Sequence, residues 1–173
     1  MKEILQKENP LLRMISKEVP ISEIKGERIQ KIIASLKEAM NSQTDAVAIA
    51  APQIGEHVRV FIISGKVDAL RGLTEERGPD IVCINPKITR ISRKKQEIEE
   101  GCLSVRFLYG KVKRTTKATI EAYDEEGRKV RRDGVDLLAQ IFQHEIDHLN
   151  GILFIDKAHD LEEIPPAPEE KLQ

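Results

Sequence analysis

The chain has 173 residues, 40% apolar and 33% charged, with 28 Lys and Arg against 29 Asp and Glu for a net charge of −1. That length supports one domain with a real core, and the balanced charge gives no electrostatic case for binding DNA or a membrane surface. Aromatic residues make up 3% and Trp is absent, which leaves no base-stacking platform, and no apolar run approaches the roughly eighteen residues of a membrane span. Residues 1–8 have neither the apolar core of a signal peptide nor the acid-poor look of a transit peptide, so a cytoplasmic protein is expected. Two cysteines, Cys83 and Cys102, make no disulfide framework in such a chain.

In chain order, residues 11–20 read as an extended arm. A helix over 22–40 follows, its stripe formed by Ile29, Ile32, Ile33, Leu36 and Met40. Residues 46–50 are small and apolar, a strand that lets something approach closely, and Pro52 ends its pairing. Gln53 is then a polar amide after an apolar run, by composition alone a loop residue. A strand over 57–64, an exposed glycine-rich loop over 65–80 with room for a short helix, and a buried strand over 81–84 come next. That strand makes Cys83 a small core residue. Asn85-Pro86 reads as a turn, 87–92 as a strand and 93–95 as a solvated basic turn. Strands are expected at 112–114, 118–123 and 129–131, with a turn over 124–127 between the last two. The acidic, proline-rich stretch 161–173 reads as a mobile tail to a single catalytic domain over 1–160.

The densest chemistry lies at 143–151, Gln-His-Glu-Ile-Asp-His-Leu-Asn-Gly. Val135, Leu138, Ala139, Phe142, Ile146 and Leu149 recur at three- and four-residue spacing, which predicts a helix; Gly151 stands where a C-terminal cap belongs, and the apolar run 152–155 then reads as a strand. On that helix His144 and His148 project from one face and can grip one metal ion, while Glu145 can serve as base for a water on it. Catalytic sites of this kind take a third protein ligand. Cys102, between Gly101 and Leu103-Ser104 after two glutamates, is the candidate, and Gly101 permits close backbone approach.

Three motifs stand in order: Ala-Pro-Gln-Ile-Gly at 51–55, Glu-Gly-Cys-Leu-Ser at 100–104 and His-Glu-Ile-Asp-His-Leu at 144–149. Together they resemble the peptide deformylases, over nearly the whole chain apart from both ends. The resemblance implies an α+β fold in which antiparallel or mixed sheets wrap a central metal-binding helix, with the first helix as scaffold. It implies one divalent ion, ferrous iron foremost with zinc, nickel or cobalt as alternatives, held by Cys102, His144 and His148. It implies removal of the formyl group from the formyl-methionine of nascent polypeptides. Glu145 then matches the general acid and base, and Gln53 with the Leu103 N–H matches the groups on the formyl oxygen. Glu100 and Arg114 match an ion pair that steadies the cysteine loop. The peptide is expected along residues 47–49 and against Gly101, with Val47, Ala48, Leu137 and Ile141 lining the methionine pocket.

The chain departs from the family pattern in two places. Ala46 and Ala48 stand where the family usually has glycines, and Arg106-Phe107 stands where Pro-Gly usually follows Leu-Ser-Val, which alters the rim of the side-chain pocket. A different acyl-amine or peptide substrate, or a non-catalytic peptide-binding relative, is the alternative reading. A monomer is expected, with at most transient ribosome proximity, since the acidic tail is unlike a basic docking helix. His57 and His159 are expected to lie outside the site.

Overall fold

The computed structural model describes residues 2–165. A helix, α1 (Glu27–Asn41), precedes strands β1 (Ala48–Ala50) and β2 (Val60–Ile63) and a one-turn helix, α2 (Val67–Leu70). Five strands follow: β3 (Ile81–Ile91), β4 (Lys95–Cys102), β5 (Val105–Thr115), β6 (Lys117–Tyr123) and β7 (Lys129–Val135). The helix α3 (Leu137–Leu149) and a last strand, β8 (His159–Glu163), complete the order. The strands form a five-stranded sheet in the order β1-β2-β3-β6-β7 and a three-stranded sheet in the order β4-β5-β8, with every pairing antiparallel. This is the expected α+β architecture.

The larger sheet carries a helix on each face, so its central strands are apolar on both sides. Val60 and Ile62 of β2 join Ile29, Ile32 and Leu36 of α1 in one apolar cluster. Phe61 and Ile63, pointing the other way, join Ala139, Phe142 and Ile146 of α3 in a second. Cys83 of β3 is fully buried in that second cluster, as its apolar neighbours predict. A third cluster under the smaller sheet gathers Leu12, Val105, Val112, Leu153 and Phe154.

Several elements differ from the sequence expectation. The first helix begins at Glu27 because Gly26, its N-cap, is extended (φ −70°, ψ 151°), and residues 21–23 form a separate 3-10 turn. The N-terminal arm likewise contains a 3-10 turn at Pro10–Arg13, capped by the Asn9 side chain. Asn85-Pro86 is no turn between strands. β3 runs through it on a bulge against β6, with Asn85 at φ +51°. There the Asn85 amide stands in for a peptide group, accepting from Val19 N–H (2.8 Å) and donating to Val19 C=O (2.7 Å). The apolar run 152–155 is not a strand either; Phe154–Asp156 forms a 3-10 turn, with the Asp156 carboxylate accepting from Leu153 N–H. Of the expected tail, Leu161, Glu162 and Glu163 belong to β8, past the expected domain end at 160; residues 166–173 lie outside the described residues.

The end of α3 depends on one glycine. Gly151 sits at φ +73°, and a Cβ there would stand 2.4 Å from the Arg13 carbonyl oxygen of the N-terminal arm. Gly151→Ala therefore adds left-handed backbone strain of about 1–2 kcal/mol and a clash with the arm. A thermal melt followed by circular dichroism should fall by at least about 3 °C; an unchanged melt would contradict the close approach.

Candidate metal centre

Glu99, Glu100, Gly101 and Cys102 close β4, and a bulge between Glu100 and Cys102 swings the thiol out of the ladder register. Facing it, α3 presents His144 and His148 from successive turns, with ring centroids 4.9 Å apart. One ligand atom from each of Cys102, His144 and His148 falls within 4.8 Å of the other two, a separation one metal ion can bridge. Cys102 Sγ lies 3.2 Å from His148 Nε2. His144 Nδ1 lies 2.9 Å from Glu100 Oε2, which orients the ring and turns its Nε2 toward Cys102. Burial pushes His148 well below the ordinary imidazole value, which keeps it neutral with a lone pair to offer. One soft sulfur and two imidazole nitrogens suit a divalent transition metal.

Beside these donors, Glu145 is buried, and its Oε2 has no hydrogen-bond partner among the described residues. Burial raises its carboxyl from 4.5 to about 7. An unpaired carboxylate oxygen at this depth is costly unless a ligand or a water on it completes the shell.

Gln53 is a buried residue of the 3-10 turn Ala51–Ile54, not the surface loop residue its composition implies. Its Oε1 accepts from Ala50 N–H at 2.8 Å, so its Nε2 must point the other way. That Nε2 reaches Ser104 Oγ (3.1 Å) and lies 3.6 Å from Cys102 Sγ. The amide therefore offers its donor side to the centre. Leu103 is buried; its carbonyl accepts from Gln6 Nε2 (3.1 Å), and the next N–H, that of Ser104, points to Cys102 Sγ (3.4 Å). The Leu5 N–H in turn donates to Gln53 C=O (2.8 Å), so the N-terminal arm braces both segments.

Beneath the ligands lies a buried charge network. Arg114 of β5 grips Glu100 through Nε (2.6 Å) and a terminal nitrogen (3.0 Å), and its other terminal nitrogen reaches Asp147 of α3 (2.6 Å). Lys157 Nζ then contacts both Asp147 oxygens, at 2.7 and 2.8 Å. Burial would raise Glu100, but hydrogen bonds from Arg114 and His144 prevail and hold it near 2.

A cleft of about 330 Å³ opens above the centre. Val47, Ala48, Gly101, Leu137 and Ile141, the five residues expected to meet substrate, all line it. Neither Ala46 nor Ala48 has a positive φ, and both are buried in apolar clusters, so their methyl groups sit without backbone strain. Arg106 and Phe107 stand at the rim. His57 and His159 lie elsewhere: His57 Nδ1 and Nε2 are buried without partners among the described residues, and His159 pairs with Glu97 at 2.9 Å. Residue-by-residue reading missed Asp147, Lys157, Ser104 and Gln6. Asp147 alone had a local signal, an acid on the ligand helix three residues past His144.

A thiol and two imidazoles converging below a strand-lined cleft, with a buried glutamate alongside, define a metallohydrolase-type centre. The family model for polypeptide deformylase matches residues 1–163. A peptide deformylase of Psychrobacter arcticus is 39% identical over 88% of this chain and 77% of its own length. The peptide deformylase of Synechococcus elongatus, solved in complex with actinonin, is 32% identical with a TM-score of 0.79, covering 92% of this chain and 79% of the other. A class I type b peptide deformylase from Acinetobacter baumannii, solved with Met-Ala-Ser bound, is 28% identical with a TM-score of 0.81, covering 91% and 98%. The chain belongs to the peptide deformylase family.

The network carries two expectations. Arg114→Met leaves the buried Glu100 carboxylate without its cation and Asp147 with Lys157 alone, and should cost about 3–5 kcal/mol in urea unfolding; a loss below about 1 kcal/mol would show that the pair bears little load. Because the folded value of Glu100 lies below its ordinary 4.5, its stabilisation is complete above that pH and fades as pH falls toward 2. Between about pH 5 and pH 2.5 the unfolding free energy of the parent should drop more steeply than that of Glu100→Gln. Parallel slopes would refute the assignment.

Proposed function

We propose that this chain hydrolyses the formyl amide at the N-terminal formyl-methionine of newly made polypeptides and releases formate. The observation that carries the reading is the convergence of Cys102, His144 and His148 beside a buried glutamate carboxylate, in a chain of the peptide deformylase family. A divalent ion held by those three side chains would supply a Lewis acid and a water that ionises near neutral pH. Ferrous iron is our choice for that ion, with zinc, nickel or cobalt as substitutes, because a thiolate beside two imidazoles accepts all four.

Around that centre the chain's own residues divide the work. Glu145, raised toward neutrality by burial, takes a proton during attack on the formyl carbon and returns it to the departing amine. The Gln53 amide and the Leu103 N–H hold the formyl oxygen as it gains charge. Glu100 and Arg114 hold His144 and the Cys102 strand in place. β1 is an edge strand of its sheet, so the peptide can add alongside Val47, with Gly101 on its other flank. Main-chain pairing of this kind binds many sequences alike, and the first side chain enters the apolar pocket at Ala48, Leu137 and Ile141. One chain supplies every one of these groups, which supports action as a monomer. We place that action in the cytoplasm, on chains leaving the ribosome.

The test is formate release from formyl-Met-Ala-Ser by iron-loaded protein kept free of oxygen. The parent should turn over, Glu145→Ala should lose about 10²–10⁴ in rate, and Gln53→Ala about 10²–10³. Bound metal without formate release in the parent would sink the proposal. Full activity in Glu145→Ala would remove that residue from the chemistry.

A further inference from the structure

Phe107 stands in a conformation that its residue type disfavours. Its φ is +65°, in the left-handed region that a bulky side chain rarely adopts. Two anchors hold the backbone there. On one side, Arg106 bonds Asp45 (2.7 Å) and Gln43 (2.6 Å) across the cleft rim. On the other, the Phe107 carbonyl accepts from Ile164 N–H (2.8 Å), and Leu108 pairs with Glu163 in the ladder to β8. The ring is not compensated by burial: it is 41% exposed and belongs to none of the three apolar clusters. It lines the cleft instead. Backbone strain that packing does not explain points to a role in function.

The surroundings define what the ring meets. Tyr109, two residues along β5 and also in the cleft lining, lies against Gly101; a Cβ on that glycine would stand 2.6 Å from the Tyr109 ring. Phe107 and Tyr109 thus put two aromatic rings on the β5 wall of the cleft, Tyr109 behind its Gly101 flank. The Arg106 charge at the rim is paired with Asp45, and Glu99 is a further carboxylate in the lining, so the rim offers no unpaired cation to an acidic side chain. An extended peptide turns successive side chains to opposite sides. If its first side chain enters the pocket on the α3 side, at Leu137 and Ile141, the second faces the β5 wall.

We propose that Phe107 is a specificity residue that selects an apolar side chain at the position following formyl-methionine. The assignment rests on the deformylase reading above and deepens it. It is tested by kcat/KM for formyl-Met-Xaa-Ser peptides with Xaa as Phe, Leu, Ala or Asp, in the parent, Phe107→Gly and Phe107→Leu. The parent should favour Phe over Ala by about tenfold, the scale on which an apolar contact discriminates. Phe107→Gly should collapse that ratio to about one, mainly through KM, and Phe107→Leu should keep the Leu preference while losing the extra gain with Phe. Phe107→Gly should also melt no lower than the parent, since glycine adopts this φ freely.

A flat preference in the parent, or a preference that survives in Phe107→Gly, overturns the assignment and leaves the deformylase reading standing. A changed preference only at the first residue, with norleucine or leucine in place of methionine, also overturns it by moving Phe107 to the other pocket. No turnover of any formyl-Met peptide by the parent overturns both.

Discussion

The centre depends on one buried guanidinium. Arg114 ties β4, which carries Cys102, to α3, which carries both histidines, through Glu100 on one side and Asp147 on the other. Removing such charges from water is expensive, and their mutual attraction offsets the cost only when geometry is good and every lone pair is used. Both conditions are met here. Glu100 is gripped by two Arg114 nitrogens and also meets His144, while Asp147 is shared with Lys157. The result is an alternating row, Lys157, Asp147, Arg114, Glu100, that ends on the His144 ring. Apolar packing alone could let a strand and a helix slide by an ångström; a forked, charged contact does not.

Double burial of the larger sheet does the coarser positioning. Because β2 is apolar on both faces, α1 and α3 are pressed to opposite sides of one surface, and α3 comes to lie beneath β1. The edge proposed to receive the peptide and the helix bearing His144 and His148 are therefore parts of one packed unit. β1 spans three residues, short enough to leave a peptide-sized edge without offering a long template for aggregation.

How much of this could be read from the residues varied with the range of the interactions. The ligand helix was clear because its evidence is local: apolar spacing of three and four, two histidines one turn apart, and a glycine where the chain must leave. Cys102 stood out as a thiol in a polar, glycine-bearing stretch that no core strand would use. Readings failed where distant partners decide conformation. Asn85-Pro86 carries strong turn chemistry, yet β3 continues through it because Val19, 66 residues away, satisfies the Asn85 amide. Residues 152–155 have strand composition, but Asp156 folds back on Leu153 and draws them into a 3-10 turn instead. Gln53 looked like a surface amide because the groups that bury it, Leu5, Ala50 and Ser104, come from three separate segments.

The N-terminal arm has a less obvious consequence. Among the described residues, Leu5 and Gln6 make no hydrogen bond to Cys102, His144 or His148, yet they hold the Gln53 carbonyl and the Leu103 carbonyl. With the roles proposed above, affinity for the ion and competence to bind the formyl oxygen would thus be maintained by different parts of the chain. Fraying at the N-terminus would leave a protein that is fully loaded but slow. Metal content alone is therefore an incomplete measure of active molecules in any preparation of this fold.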